Sequence, residues 1–264
     1  MEFHRNSFLI LILAKMNTTI VIPCYNEERR LPVDKFRNYI SVNSKKFIFV
    51  NDGSKDCTNE LLQDIRREFP EKIEVIKNVV NLGKSGAVRE GINHALQKGK
   101  CDLIGFMDAD LSTSLEEIDD FLDVFDRRRQ IDFVFGSRIA KIGSVIDRRP
   151  VRHYLGRVNA TIVSVYLQKQ IYDSQCGAKF FRSPVARKVF KEKFISKWLF
   201  DVEIFKRIEL SGGEIDKCSL ELPLHRWVEK GDSKISMMDV LRLPVEYFRI
   251  INHYRCERNV YGCL

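Results

Sequence analysis

Seven cysteines are scattered at positions 24, 57, 101, 176, 218, 256 and 263, and no two form a Cys-x-x-Cys pair. That absence argues against a structural zinc site. An odd count without a framework reads as reduced thiols, with the cytosol as the default compartment. Long apolar runs are missing as well. The run behind Arg5, Phe8 to Ala14, has seven residues, against the roughly 20 that a membrane-spanning helix needs. It also lacks a convincing signal-peptide cleavage site. No later segment reaches about 18 uninterrupted apolar residues, so no transmembrane helix is expected. Residues 1–16 read as an extension or a weak interfacial segment, with Met16 an alternative start. There is no internal repeat and no low-complexity stretch.

What remains is a globular composition, 44% hydrophobic and 30% charged, in a chain of 264 residues with a formal charge of +8. Such a charge favours anionic partners. It is uneven: Arg138, Lys141, Arg148, Arg149, Arg152 and Arg157 face a single acid, Asp147, in that stretch. No nucleic-acid-binding motif accompanies the charge, so nucleic acid is not an expected partner.

The first half alternates strand and helix patterns. Apolar runs at Thr19–Pro23, Phe47–Val50, Ile73–Ile76, Leu103–Met107 and Phe133–Phe135 predict five strands. Helical spacing covers Thr58–Phe69 and Gly86–Gln97, and a third helix is expected near Ser114, where Ser114 and Glu117 fit a capping box. This order predicts an α/β fold with a mostly parallel central sheet flanked by helices and ligands at the carboxyl ends of its strands. In the second half, Arg152–Gln168 is read as a helix with Leu155, Val158, Ile162 and Val165 on its apolar face. Pro184–Phe190 and Phe200–Leu210 are also helical in pattern. Asp239–Tyr254 mixes apolar and basic residues and is interrupted by Pro244. It suits a core-packing helix, the favoured reading, or an amphipathic segment on a membrane.

Asp108-Ala109-Asp110 closes the fourth strand, so both carboxylates project to one side where the chain leaves the sheet. Hard oxygen ligands there suit Mg²⁺ or Mn²⁺ with a phosphate-bearing substrate. Alone, the pattern is common. Here Pro23-Cys24-Tyr25-Asn26-Glu27-Glu28 and Asn51-Asp52-Gly53-Ser54 end two other strands, and Asn81-Leu82-Gly83-Lys84-Ser85-Gly86 precedes a helix.

Together these clusters resemble the inverting glycosyltransferases of family 2, with the GT-A fold. Within them the chain is most similar to polyprenyl-phosphate sugar transferases, the dolichyl-phosphate β-glucosyltransferases above all. That similarity rests on Asp173-Ser174-Gln175-Cys176-Gly177-Ala178-Lys179-Phe180-Phe181, on Trp198-Leu199-Phe200-Asp201-Val202-Glu203, and on Trp227 followed by Gly231-Asp232-Ser233-Lys234. The resemblance implies a catalytic domain over 17–235 and a basic, amphipathic tail over 236–264. Pro23, Tyr25 and Glu27 would line the nucleobase and ribose pocket, Asp52 would bond the base, and Lys84 would approach the base or diphosphate. Asp108 and Asp110 would hold the ribose and the metal, with Asp110 the more direct ligand.

The implied reaction is metal-dependent inverting transfer of a hexose, glucose from UDP-glucose being favoured, to polyprenyl or dolichyl phosphate. It would take place peripherally at the cytosolic face of a membrane. A lipid phosphate is already anionic and needs positive charge rather than a general base. Arg138 is the first choice to hold it, since an Arg fork matches phosphate geometry. Lys179, Arg182 and Lys234 are further candidates for acceptor or diphosphate contacts, and Gln175 for contact with the acceptor or the sugar. Asp201 and Glu203 would orient the sugar or brace the basic residues. The alternative is a family 2 enzyme acting on a saccharide hydroxyl in surface polysaccharide synthesis, with Asp201 as general base. Trp198 and Trp227 are open between core and sugar platform. Ser112 stands where the mannosyl relatives usually carry Gln, which counts against a mannosyl donor. Many relatives carry transmembrane helices; none is expected here, and the basic residues and Phe8–Ala14 are the expected route to a lipid.

Overall fold

The computed structural model of the protein describes residues 16–99, 101–230 and 237–261. Its first half runs β1 (Thr18–Cys24), α1 (Val33–Val42), β2 (Lys46–Asn51), α2 (Thr58–Glu68), β3 (Ile73–Lys77), α3 (Gly83–Gln97), β4 (Leu103–Phe106), α4 (Glu117–Arg127) and β5 (Phe133–Ser137). Then follow β6 (Val145–Asp147), α5 (Pro150–Leu167), β7 (Lys179–Arg182), α6 (Ser183–Val189), α7 (Phe200–Leu210), α8 (Ile215–Cys218), β8 (Ser219–Pro223), β9 (Arg226–Val228) and α9 (Met237–Tyr261).

The main sheet has the order β3-β2-β1-β4-β7-β5-β8. Pairings from β3 to β4 are parallel, as is β5 with β8, and only β7 runs against its neighbours. The expected mostly parallel α/β sheet is therefore found. Its central strands are apolar on both faces because helices cover both. Ile20 and Ile22 of β1 point into the layer holding α1, α2 and α4, while Val21 points into the layer holding α3, α6 and α7. A separate parallel ribbon pairs β6 with β9.

Several expectations are corrected. Helix α3 begins at Gly83 rather than Gly86, so Lys84 lies in its first turn. Helix α4 begins at Glu117, not near Ser114, and no side-chain cap forms. The Glu117 carboxylate instead accepts the Arg226 N–H at 2.7 Å, a tertiary bond that outcompetes the local box. Pro244 lies inside α9 without ending it. That helix packs into the core through Tyr247, Ile250 and Tyr254. The outer face of α5 is the largest departure: Val158, Ile162 and Val165 are exposed, and Ala160, Val163 and Leu167 are buried instead. Phe8–Ala14 and Gly231–Lys234, including Lys234, lie outside the described residues. Among the described residues no helix is long and apolar enough to cross a membrane.

Candidate active site

The carboxyl ends of β1, β2 and β4 bring the polar clusters together. The loops after β1 and β2 are laced to each other: Asn26 N–H donates to Ser54 Oγ at 3.0 Å, and Lys55 N–H to Asn26 Oδ1 at 2.9 Å. Glu27 N–H donates to Thr58 Oγ1 at 2.7 Å. Asn26 holds φ 50°, a left-handed conformation that Asn tolerates well. Glu27 is thereby buried at the loop, with Pro23 and Tyr25 half-buried beside it.

Asp52 is almost fully buried and organises the glycine-rich turn. Its Oδ1 accepts Leu82 N–H and Asn78 Nδ2, each at 2.9 Å, and its Oδ2 accepts Gly83 N–H at 2.8 Å. Gly83 has φ 78°, which L side chains rarely adopt, so the turn requires glycine there. The carboxylate expected at the base thus holds the start of α3 and the Asn78 side chain. This fixes Lys84, whose Nζ lies 2.5 Å from Asp108 Oδ1. Burial opposes the charge on Lys84, but Asp108, Asp201 and Asp110 outweigh it and hold its pKa above the ordinary lysine value.

Asp108 and Asp110 flank buried Ala109 just past β4. Asp110 Oδ1 accepts Ser112 N–H at 2.9 Å, and its Oδ2 lies 3.3 Å from Arg30 Nη2. Leu111 between them holds φ 51°, a strained conformation for a branched side chain. The pair fits Mg²⁺ or Mn²⁺ in donor type. Among the described residues no cluster of three His, Cys, Asp or Glu surrounds it. Two carboxylates fall short of either ion's ligand number, so diphosphate oxygens and water would complete the sphere. Gly177 closes this corner: a Cβ there would overlap the Asp108 carboxylate.

On the other side of β4, two buried ion pairs take up most of the remaining charge. Arg138 grips Asp173 through Nε at 2.5 Å and Nη2 at 2.7 Å, with its backbone N–H adding a bond at 3.1 Å. Its guanidinium also lies 5.2 Å from the ring centre of buried Trp227. Burial disfavours both charges, yet mutual attraction raises the Arg138 pKa and lowers that of Asp173. Lys179, expected at the acceptor, is completely buried in β7. Its Nζ lies 2.8 Å from Asp201 and donates to Cys176 O at 2.6 Å. Arg182 is likewise spent on the backbone carbonyls of Ile131 and Phe125. Gln175 is half-buried next to this region, its N–H on Asp173 at 3.3 Å. Trp198 is partly exposed.

Two residues that the sequence did not single out stand at the site. Arg30 reaches Asp110, and Arg148, whose guanidinium lies against Gly156 of α5, is within electrostatic reach of Arg138, Asp173 and Glu229. Burial, and then repulsion from Arg138, lowers the Arg148 pKa. Arg148 belonged to the uneven basic stretch, but nothing in spacing separated it from its five basic neighbours.

Comparison with known proteins fits this geometry. The family model "Glycosyl transferase family 2" matches residues 19–190. A dolichyl-phosphate beta-glucosyltransferase of Trichomonas vaginalis is 28% identical over 92% of this chain and 73% of its own. The Homo sapiens protein of that name is 30% identical over 81% of this chain and 72% of its own. A Mycobacterium tuberculosis glucosyl-3-phosphoglycerate synthase, solved with Mn²⁺, UDP-glucose and phosphoglyceric acid, superposes with a TM-score of 0.67 at 13% identity. The superposition covers 93% of this chain and 83% of that one, and at such identity it speaks for the fold alone. The parallel sheet with polar clusters at its carboxyl ends is a GT-A fold, the architecture of a glycosyltransferase. More narrowly, the chain belongs to glycosyl transferase family 2.

Proposed function

We propose that the protein transfers glucose from UDP-glucose to a polyprenyl or dolichyl phosphate, with inversion, while bound peripherally at the cytosolic face of a membrane. The observation that supports the acceptor is the Arg138 guanidinium, held in place by buried Asp173 at the carboxyl end of β5. A guanidinium fork matches the geometry of an anionic phosphate oxygen. The relatives' names, dolichyl-phosphate beta-glucosyltransferase, support the same sugar and acceptor. The UDP-glucose bound in the mycobacterial structure supports the donor.

In this reading Pro23, Tyr25 and Glu27 line the nucleoside pocket, and Asp52 holds the turn that presents Lys84 to the diphosphate. A lipid-phosphate oxygen attacks C1 of glucose as the bond from C1 to the diphosphate oxygen breaks, and UDP leaves with the electron pair. The attacking oxygen is already anionic, so no residue must take its proton. Asp108 and Asp110 would hold a divalent ion, which would supply charge stabilisation to the departing diphosphate. Lys84 adds a second positive charge there. Asp201, held by Lys179, positions the sugar rather than acting as base.

The test is transfer of label from UDP-glucose into an organic-extractable product, using purified protein, polyprenyl phosphate and Mg²⁺ or Mn²⁺. Transfer that is abolished in Asp110→Asn is expected. Label appearing only on a saccharide acceptor, and lost in Asp201→Asn, would overturn the lipid acceptor in favour of a hydroxyl.

A further inference from the structure

Asp110 already has a cation. Its Oδ1 accepts Ser112 N–H, so Oδ2 is the freer oxygen, and Arg30 Nη2 lies 3.3 Å from it. The guanidinium is held at two further points: Nη2 also donates to Lys230 O at 3.4 Å, and Nε lies 3.8 Å from Glu27 Oε2. The base of the side chain is fixed as well, because the N–H groups of Arg30 and Leu31 both donate to Glu27 O, at 3.0 and 2.8 Å. Yet 32% of the Arg30 side chain stays in solvent, so its outer end has room to turn. Arg30 thus rises from the loop that lines the proposed nucleoside pocket and ends on a carboxylate proposed for the metal.

We infer that Arg30 contends with a divalent cation for Asp110, and that the donor's diphosphate is the partner to which its guanidinium turns. Arg30 is then a positioning residue that couples the two ligands. This competition rests on the proposed metal role of Asp108 and Asp110. Charge sets it: two positive centres on one carboxylate oxygen repel each other, and a guanidinium cannot shed its proton to relieve the repulsion. Arg30 must therefore give way by moving. An ion pair with both partners partly in solvent is weak enough to allow that. Geometry names the new partner. Glu27 and Lys230 O lie at longer range than Asp110 and each meets a single nitrogen, whereas phosphate oxygens match the whole guanidinium fork. A diphosphate that draws Arg30 away frees Asp110. By linkage, UDP and the cation then tighten each other by the same factor.

The experiment is titration of the full chain with Mn²⁺, followed by the paramagnetic resonance signal of the free ion, with and without UDP and with no acceptor present. Arg30→Met should bind Mn²⁺ alone about tenfold more tightly than the parent, because the competing charge is gone. Misfolding cannot mimic that gain. The factor by which UDP tightens Mn²⁺ should shrink by about tenfold in the same variant, since no guanidinium remains to exchange partners. Arg30→Lys keeps the charge and should keep Mn²⁺ binding as weak as in the parent. Arg29→Met removes a charge one residue away, at an exposed position, and should leave both quantities within about twofold because solvent and salt screen it. Mn²⁺ binding by Arg30→Met equal to that of the parent would overturn the competition. An undiminished effect of UDP would overturn the exchange onto the diphosphate. If neither chain binds Mn²⁺ even with UDP, or if Asp110→Asn binds it as the parent does, the proposed metal role of Asp110 fails and the competition with it.

Discussion

The Tyr254 hydroxyl donates to Glu203 at 2.9 Å and joins α9, near the end of the described chain, to the loop that carries Trp198. Glu203 is fully buried and also accepts the N–H groups of Ile195 and Ser196, at 3.0 and 2.8 Å. Arg207 Nε donates to the same tyrosine oxygen at 2.9 Å. Glu203, expected to orient the sugar or brace the basic residues, holds the loop before α7 and lies 3.6 Å from Arg207.

Tyr254→Phe removes one bond from a buried carboxylate and leaves that acceptor short of a partner. The expected cost is about 1–3 kcal/mol of stability, read by urea unfolding with unchanged slope. An unchanged midpoint would show that the hydroxyl contributes nothing.

Asp173→Asn should be more damaging, because it strands the Arg138 charge in the interior, at a cost of about 3–5 kcal/mol. The pH profile adds a second readout. Arg138 holds the Asp173 pKa below its ordinary value despite burial. The pair's contribution is therefore present above the unfolded carboxylate pKa and lost as pH falls through the lower folded value. The parent should lose stability along that acid limb, and the variant should show a shallower loss.

Gly177→Ala is expected to spare the fold and harm the chemistry. The new methyl would displace the Asp108 carboxylate, which is a movable side-chain end, from its contact with Lys84. Turnover should fall on the order of 10–100-fold, as for other displacements of about an ångström, with little change in melting temperature. A full-activity variant would mean that Asp108 has room the structure does not show.

Asp52→Ala removes the acceptor for Leu82 and Gly83 N–H at the start of α3. Hydrogen exchange at those two amides should quicken, and UDP binding by calorimetry should weaken with it. Faster exchange with unaltered UDP affinity would separate the turn from donor binding.

Much of the fold was legible because parallel strands buried on both faces are written as short apolar runs, and β1 to β5 each carried one. Strands β6, β8 and β9 are short and partly exposed, with no such run, and β7 sits inside a motif read for its chemistry. The clusters at Glu27, Asp52, Lys84 and Asp108 were legible because each ends a strand or opens a helix, and parallel topology must gather such ends at one edge. The Arg30 contact with Asp110 spans 80 residues and left no local trace.

The sequence by itself determined the alternation of elements, the edge where the polar clusters meet and the family of the chain, since these follow from local pattern and order. Which charges neutralise one another was decided only by tertiary structure. Lys179 is consumed by Asp201 and Arg138 by Asp173. The same holds for α5, whose periodic valines look like a core face until packing assigns the core to Ala160, Val163 and Leu167. A helical pattern records that a face is apolar. Whether that face meets protein depends on which neighbours the fold places against it.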